Sequence, residues 1–257
     1  MSFKNKNCLI LVPARFASTR FPGKPLANIL GKSMIERVYE NLIKSNQNTQ
    51  FNFTVSVVTD DDRIEDHVHG FKGNVIRVDD QVSTGSERIY LGWQRFYKND
   101  NYDLIINVQG DEPLVDPSLL ERLASFHLGS NFDIATVVIR KDKRDESFED
   151  PNKVKVIYQN DNGQCHYFSR SPIPFSRDKN DHEWFLHVGI YSYKPSALEK
   201  FNHSPKSLYE GIESLEQLRC LECGQKIGAI ESQDTFIGVD TPDDIKRVEG
   251  VLRGKKQ

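Results

Sequence analysis

The sequence predicts an α/β fold, with a mostly parallel sheet covered by helices on both faces and an antiparallel insertion. Three features predict it. Strand and helix patterns alternate along the chain, the strand segments are aliphatic runs without in/out alternation, and one segment departs from this with an Asn-Gly turn signal. Residues 8–12 form the first strand, stopped by Pro13 ahead of a loop rich in Arg, Ser, Thr, Pro and Gly. Met34, Ile35, Val38, Leu42 and Ile43 then fall at helical spacing behind Ser33, a favoured cap. Residues 53–58 read as the second strand, ending in the acidic turn Thr59-Asp60-Asp61-Asp62 that starts a helix near Arg63, and 75–78 as a short third. The small-residue turn 83–88 leads into a helix carrying Ile89, Leu91, Trp93 and Phe96. Residues 104–108 are the most buried-looking strand and deliver Gln109-Gly110-Asp111-Glu112-Pro113 at their carboxyl end, the edge where open α/β sheets bind ligands. Helix 119–128 and strand 134–139 come next. After a charged connection, 141–150, the segments 154–158 and 165–168 flank Asn162-Gly163 as a hairpin. Strand 188–193, helix 208–222, strand 227–231 and helix 242–253 complete the pattern, with a basic tail at 253–257 read as frayed.

Composition excludes several classes. With 34 Lys and Arg against 37 Asp and Glu, the formal charge of −3 offers no positive field for a polyanion, so nucleic-acid binding is disfavoured. The apolar runs fall far short of the roughly 20 residues that cross a bilayer or the roughly 7–15 of a signal-peptide core. A soluble, cytoplasmic protein without membrane insertion is the expectation. Four cysteines in 257 residues make no disulfide framework. Cys220 and Cys223 form a CxxC on a segment read as helix, 213–226, and no second ligand pair completes a zinc site. No GxSxG, HExxH or GxGxxG occurs, so hydrolase-triad, zincin and dinucleotide chemistry lack motif support.

Charged residues gather at predicted strand ends. Arg15, Arg20 and Lys24 are spaced across the first loop with Ser18 and Gly23 allowing close backbone approach, an arrangement suited to triphosphate oxygens or to an ordinary solvated basic loop. It is not a Walker A loop, because Gly23-Lys24 is followed by Pro25. Asp111 and Asp240 each follow a strand, and two carboxylates with phosphate oxygens and water are a usual magnesium environment. Asp240 also suits the start of the last helix. His187 begins a strand, where it could hold a substrate hydroxyl or carboxylate or serve the core. Arg170 is the one cation in Phe168-Ser169-Arg170-Ser171-Pro172-Ile173-Pro174, fit for a carboxylate partner or an internal ion pair. Glu213 and Glu216 read as one turn apart on a helix.

Taken in order, Pro13-Ala14-Arg15, Ser18-Thr19-Arg20, Pro22-Gly23-Lys24-Pro25-Leu26 and Val108-Gln109-Gly110-Asp111-Glu112-Pro113 resemble the 3-deoxy-manno-octulosonate cytidylyltransferases, or CMP-Kdo synthetases. Phe168 to Pro174, His187-Val188-Gly189-Ile190-Tyr191, Glu213-Ser214-Leu215-Glu216-Gln217-Leu218-Arg219 and Val239-Asp240-Thr241-Pro242 continue the likeness, which spans about residues 8–252. The resemblance implies one Rossmann-like nucleotidyltransferase domain over 1–257, with a smaller sugar-binding and dimerisation subregion at about 151–225. It implies that CTP and Kdo give CMP-Kdo and pyrophosphate, with Mg2+, on the way to lipopolysaccharide. Arg15, Lys24 and Asp111 take catalytic places, and Ala14, Arg15, Ser18, Arg20, Lys24, Thr84, Gly85 and Arg88 nucleotide-binding ones. Gln109, Arg170, His187, Tyr191, Glu213 and Glu216 match the sugar pocket, Asp111 and Asp240 the metal ligands. Thr84-Gly85-Ser86-Glu87-Arg88 exchanges the family's Ser and Thr, and Ser33 stands where proline is common. A homodimer through the 154–168 hairpin and the Glu213 helix is implied too. Another 2-keto acid sugar, 8-amino Kdo or one like sialic acid, is the nearest alternative acceptor, and a non-catalytic nucleotide-binding protein is the alternative of a different class.

Overall fold

Strand β1 (Lys6–Ala14) is central to the first of two units into which the chain divides, residues 2–121 with 234–257. The computed structural model describes residues 5–17, 21–47, 49–82, 84–142, 145–178 and 182–254; Ser18, Thr19, Arg20 and Ser83 lie outside them. Leu9, Ile10, Leu11 and Val12 are wholly buried, which is why no polar residue interrupts the run. A small antiparallel hairpin absent from the sequence reading, β2 (Asn28–Ile29) with β3 (Lys32–Ser33), leads into α1 (Met34–Ile43). The Ser33 hydroxyl caps that helix, accepting from the Glu36 amide at 3.1 Å. Met34, Ile35, Val38 and Leu42 are fully buried along its apolar stripe, each worth roughly 2 kcal/mol of transfer free energy.

β4 (Phe51–Thr59) runs parallel to β1 from Lys6↔Phe51 to Ala14↔Thr59. Asp61 caps α2 (Asp62–Gly70), β5 (Val75–Arg77) adds to the far side of β4, and Thr84 caps α3 (Gly85–Gly92), which continues through a π-turn, Trp93–Tyr97. β6 (Leu104–Asn107) flanks β1 on its other side, so the order β5-β4-β1-β6 is parallel throughout.

Through α4 (Pro117–Leu128) the chain enters the second unit, residues 122–233, and there the expectation of a mostly parallel sheet fails. Its strands are β7 (Ile134–Asp142), β8 (Lys155–Tyr158), β9 (Gln164–Ser169), β10 (Glu183–Tyr193) and β11 (Ile227–Glu231). Only β11 with β7 is parallel; β10 with β7, β10 with β8, β9 with β11 and β8 with β9 are antiparallel. The fold is therefore α/β with mixed strand directions. A parallel link needs a crossover of about a dozen residues or more, and the short connection 159–163, with Gly163 at φ +78°, turns straight back into the expected hairpin. Strand β10 starts five residues before the predicted strand and carries a bulge between Val188 and Tyr191.

A helix missing from the sequence reading, α5 (Pro195–His203), comes after β10 and buries Ala197, Leu198 and Phe201. The expected single helix over 208–222 is two, α6 (Leu208–Glu213) and α7 (Glu216–Glu222), separated at Ser214, which takes a left-handed φ of 51°. Finally α8 (Pro242–Gly254) returns to the first unit, where Val248 packs with Ile29, Met34, Leu114 and Val239. The four thiols are free, with Cys223 half-buried and the others buried; burial pushes Cys8 and Cys165 up to about 12, so both are inert. Among the described residues no helix is long and apolar enough to cross a membrane.

His127 on α4 is fully buried with Nδ1 2.8 Å from the Ser192 hydroxyl, and burial, aided by the nearby Lys194 ammonium, lowers it from 6.5 to about 4. The unfolded chain takes this proton near pH 6.5 and the folded chain resists it until near pH 4, so acid favours unfolding. Between pH 7 and pH 5 the residue is expected to cost about 2 kcal/mol of stability. Urea midpoints measured across that range should fall less steeply in His127→Asn, whose amide reaches the Nδ1 position; an unchanged slope refutes the assignment.

Candidate active site

The loop after β1 is shaped by Gly23. Its φ of 70° lies in the left-handed region, its amide donates to the Phe16 carbonyl at 2.9 Å, and a Cβ there would stand 3.1 Å from the Phe16 ring. The turn Lys24–Leu26 begins at once, with Pro25 buried near its start. Lys24 is thus aimed from a rigid base. Its ammonium donates to Asp111 Oδ2 at 2.6 Å and reaches Asp240 Oδ1 at 3.4 Å.

Two backbone contacts bring those carboxylates to one place. The Val239 amide donates to the Asp111 carbonyl at 3.0 Å, clasping the returning chain to the loop after β6. A Cβ on Gly110 would meet the Pro13 carbonyl at 3.0 Å, so only glycine lets this loop lie against the end of β1. The start of α8 is served by Asp244, whose Oδ2 accepts from the Asp240 and Thr241 amides at 3.1 and 2.9 Å. Asp240 is therefore not spent as the helix cap, and its carboxylate faces Lys24.

On the same unit a cavity of about 340 Å3 is lined by Arg15, Ala17, Asp60, Gln81, Val82 and Arg88. Ala14 is buried at the end of β1 just before it. Arg15 Nη2 donates to the Thr84 carbonyl at 3.0 Å, while the Thr84 hydroxyl oxygen accepts from the Glu87 amide at 3.2 Å. Thr84 thus holds the start of α3, and Gly85 lets that start approach Pro13 to 3.3 Å of a would-be Cβ. Arg88 is 1% exposed; it donates to the Val78 carbonyl at 2.8 Å and to Asp60 Oδ2 at 2.6 Å. A guanidinium so buried requires this pairing. Gln109 belongs to this unit, its Oε1 3.9 Å from the same Gly85 position.

Arg170, His187, Tyr191, Glu213 and Glu216 all lie in the second unit. Glu213 ends α6: its carboxylate accepts from Ser169 Oγ at 2.6 Å and from the Arg170 amide at 2.8 Å. The Arg170 guanidinium donates to three carbonyls, Glu213 at 2.6 Å, Pro151 at 2.9 Å and Ser214 at 3.3 Å. It caps α6 from outside the helix, which is why the helix stops there and why Glu213 and Glu216 are not one turn apart on a single helix. Behind it Lys155, wholly buried, donates to the carbonyls of Asp150, Lys153 and Arg170 at 3.0, 2.8 and 2.5 Å. The His187 ring stands 5.0 Å from Phe168 and 5.3 Å from Tyr191, and burial pushes its imidazole down to about 3. It is neutral at physiological pH and cannot act as a cation toward a carboxylate. Burial, with Tyr193 and Glu216 nearby, raises the Tyr191 phenol well above its ordinary value.

A family model for cytidylyltransferases matches residues 9–227. The chain belongs to the cytidylyltransferase family. It is 40% identical over 255 residues to the 3-deoxy-manno-octulosonate cytidylyltransferase of Parabacteroides distasonis, covering 95% of this chain and 98% of that one. It is 42% identical over 251 residues to the 8-amino-3,8-dideoxy-manno-octulosonate cytidylyltransferase of Shewanella pealeana, covering 96% and 98%. Among solved structures, a CMP:2-keto-3-deoxy-manno-octonic acid synthetase complexed with CTP matches with a TM-score of 0.88 at 33% identity, over 97% of this chain and all of that one. The protein is a nucleotidyltransferase enzyme.

Of the residues expected in this cytidylyltransferase's nucleotide and metal sites, Ala14, Arg15, Lys24, Thr84, Gly85, Arg88, Asp111 and Asp240 fall in one unit; Ser18 and Arg20 lie outside the described residues. Asp60 and Gln81 were missed. Asp60 carried a partial signal in sequence, as an acidic residue in the turn that ends a predicted strand; Gln81 carried none. Lys155 reads in sequence as an ordinary strand lysine. Because Arg170 fastens three carbonyls, Arg170→Ala is expected to cost about 2 kcal/mol in urea unfolding. Arg170→Lys should recover less than half, a point charge being unable to fork between strands of backbone. Full stability in Arg170→Ala would remove its capping role.

Proposed function

We propose that this enzyme transfers the cytidylyl group of CTP to 3-deoxy-manno-octulosonate, giving CMP-Kdo and pyrophosphate. The anomeric hydroxyl oxygen bonds to the α-phosphorus as the α–β bridging bond breaks; the hydroxyl proton is released to water, and pyrophosphate carries away the electron pair. The observation that carries the reading is Lys24 set between Asp111 and Asp240, in a chain whose family and relatives are cytidylyltransferases. Lys24 and Arg15 offset triphosphate charge, as a reaction with little covalent work for the protein requires. Arg88 and Asp60, locked together in the cavity wall, offer the base a fixed set of donors and acceptors. In the second unit, Arg170 keeps two N–H groups for the sugar acid beyond the three it spends on carbonyls.

The residues fit magnesium. One ammonium reaches both Asp111 and Asp240, so a cation is already accommodated between them. No group of three or more His, Cys, Asp or Glu occurs among the described residues that could hold a metal. Two carboxylates leave the other positions to phosphate oxygens and water, which is how this ion is usually held. When bound, it supplies charge neutralisation on the triphosphate.

We further propose a homodimer, with lipopolysaccharide synthesis in the cytoplasm as the setting. Leu208 and Ile212 on α6 are 68% and 70% exposed, with Tyr209 and Tyr167 of β9 beside them. Exposed apolar side chains gathered in this way suit a second copy. Light scattering should give twice the chain mass for the wild type and the single-chain mass for Leu208→Glu/Ile212→Glu; a monomeric wild type ends this proposal.

Pyrophosphate release with CTP, ATP, GTP and UTP, each with and without Kdo and magnesium, tests the reaction. Release is expected only with CTP, Kdo and magnesium together, and Asp111→Ala should lose at least about a hundredfold in kcat with an unchanged melting temperature. Faster turnover of the 8-amino sugar would reassign the acceptor. Silence with every acceptor would leave a nucleotide-binding protein, and near wild-type rates in Asp111→Ala would sink the metal assignment.

A further inference from the structure

Thr136 on β7 is wholly buried and lies opposite the bulge of β10, in register with Tyr191. Between Val188, which faces Val137, and Tyr191, Gly189 and Ile190 have no counterpart on β7. A bulge leaves carbonyls off the ladder, and the Thr136 hydroxyl takes up two of them, donating to the Ile190 carbonyl at 2.7 Å and the Val188 carbonyl at 3.1 Å. The same oxygen is 3.1 Å from His187 Nε2. A hydroxyl has one proton, and here both carbonyls compete for it. Toward His187 the oxygen is left with a lone pair, so the imidazole must be the donor.

We propose that Thr136 is a positioning residue that fixes His187 as its Nε2–H tautomer, leaving Nδ1 as an acceptor for a hydroxyl of the acceptor sugar. Nδ1 has no hydrogen-bond partner among the described residues. The ring is held by its own chain as well: the His187 amide donates to the Val154 carbonyl at 2.9 Å, and Phe168 meets the imidazole edge-on. A neutral imidazole offering a lone pair recognises a hydroxyl and rejects a carboxylate, which assigns the sugar acid to another residue. The sugar half of this inference rests on the proposed function; the tautomer does not.

Two measurements test it. In the free wild-type enzyme, nitrogen NMR of His187 is expected to show the proton on Nε2; a proton on Nδ1 overturns the proposal whatever any variant does. Thr136→Val keeps the shape and removes the hydroxyl, and should mix the tautomers and raise the sugar KM about tenfold, with the CTP KM within about twofold. Thr136→Ser should restore both. Unchanged sugar KM in Thr136→Val, or equal rises for sugar and CTP, overturns the sugar role. Should Thr136→Val fail to fold, Thr136→Ser and the wild-type spectrum still decide. If the wild type does not turn over Kdo at all, the proposed function falls while the tautomer measurement stands.

Discussion

One ammonium between two carboxylates sets the demands on the first unit. Asp111 and Asp240 lie 87 and 216 positions from Lys24 in the chain, and like charges brought so close repel unless a cation sits between them. Each neighbouring feature meets some part of that requirement. The left-handed Gly23 and the buried Pro25 aim the lysine, and the Gly110 backbone lies against Pro13 to bring the Asp111 loop in. The Val239 amide secures the returning chain, and Asp244 relieves Asp240 of any duty at the helix start. A substrate triphosphate would enter a site whose charges are already matched, and Lys24 could exchange a carboxylate for a phosphate without first being ordered.

Much of this was legible in the sequence because it depends on strands. A run such as Leu9-Ile10-Leu11-Val12 admits only a doubly covered strand, and residues beyond the carboxyl end of such a strand emerge at the ligand-binding edge, so Lys24, Asp111 and Asp240 stood out as candidates from their positions, while a solvated loop and a helix start were equally open until the family resemblance was added. Strand direction was not legible in the second unit, because aliphatic runs there look the same whether the next strand returns parallel or antiparallel; only the Asn162-Gly163 turn betrayed its own hairpin. The break between α6 and α7 was invisible for a different reason. Nothing in Glu-Gly-Ile-Glu-Ser-Leu-Glu forbids a continuous helix, and the interruption comes from Arg170, 43 positions upstream, taking the helix-end carbonyls. Asp60 and Gln81 line a cavity only because the ends of β4 and β5 are adjacent. Thr136 resembles any β-branched strand residue until the bulge opposite it is known.

The second unit builds its polar site differently from the first. Where Lys24 is matched by carboxylates, Arg170 and Lys155 are matched by backbone carbonyls, and His187 by a hydroxyl that already serves two carbonyls. Such partners carry partial charges only, so they anchor these side chains without neutralising them. The Asp150, Glu149 and Glu213 carboxylates act on Lys155 through space rather than through its hydrogen bonds, and the imidazole keeps its neutral form. Orientation is thereby set by hydrogen bonds to neutral partners, while charge is balanced across space.

The clasp between Val239 and Asp111 also bears on how the molecule is made. A chain emerging from the ribosome delivers β1, β4, β5 and β6 early, yet the strand-end site stays open while the whole of residues 122–233 is synthesised and the segment carrying Asp240 and α8 arrives. At about 5–20 residues per second that interval is several seconds or more. Throughout it Ile29, Met34 and Leu114 lack the Val239 and Val248 side chains that later cover them. A nascent chain is thus sticky beside the strand-end site until the last helix arrives, and chaperone demand should be concentrated there.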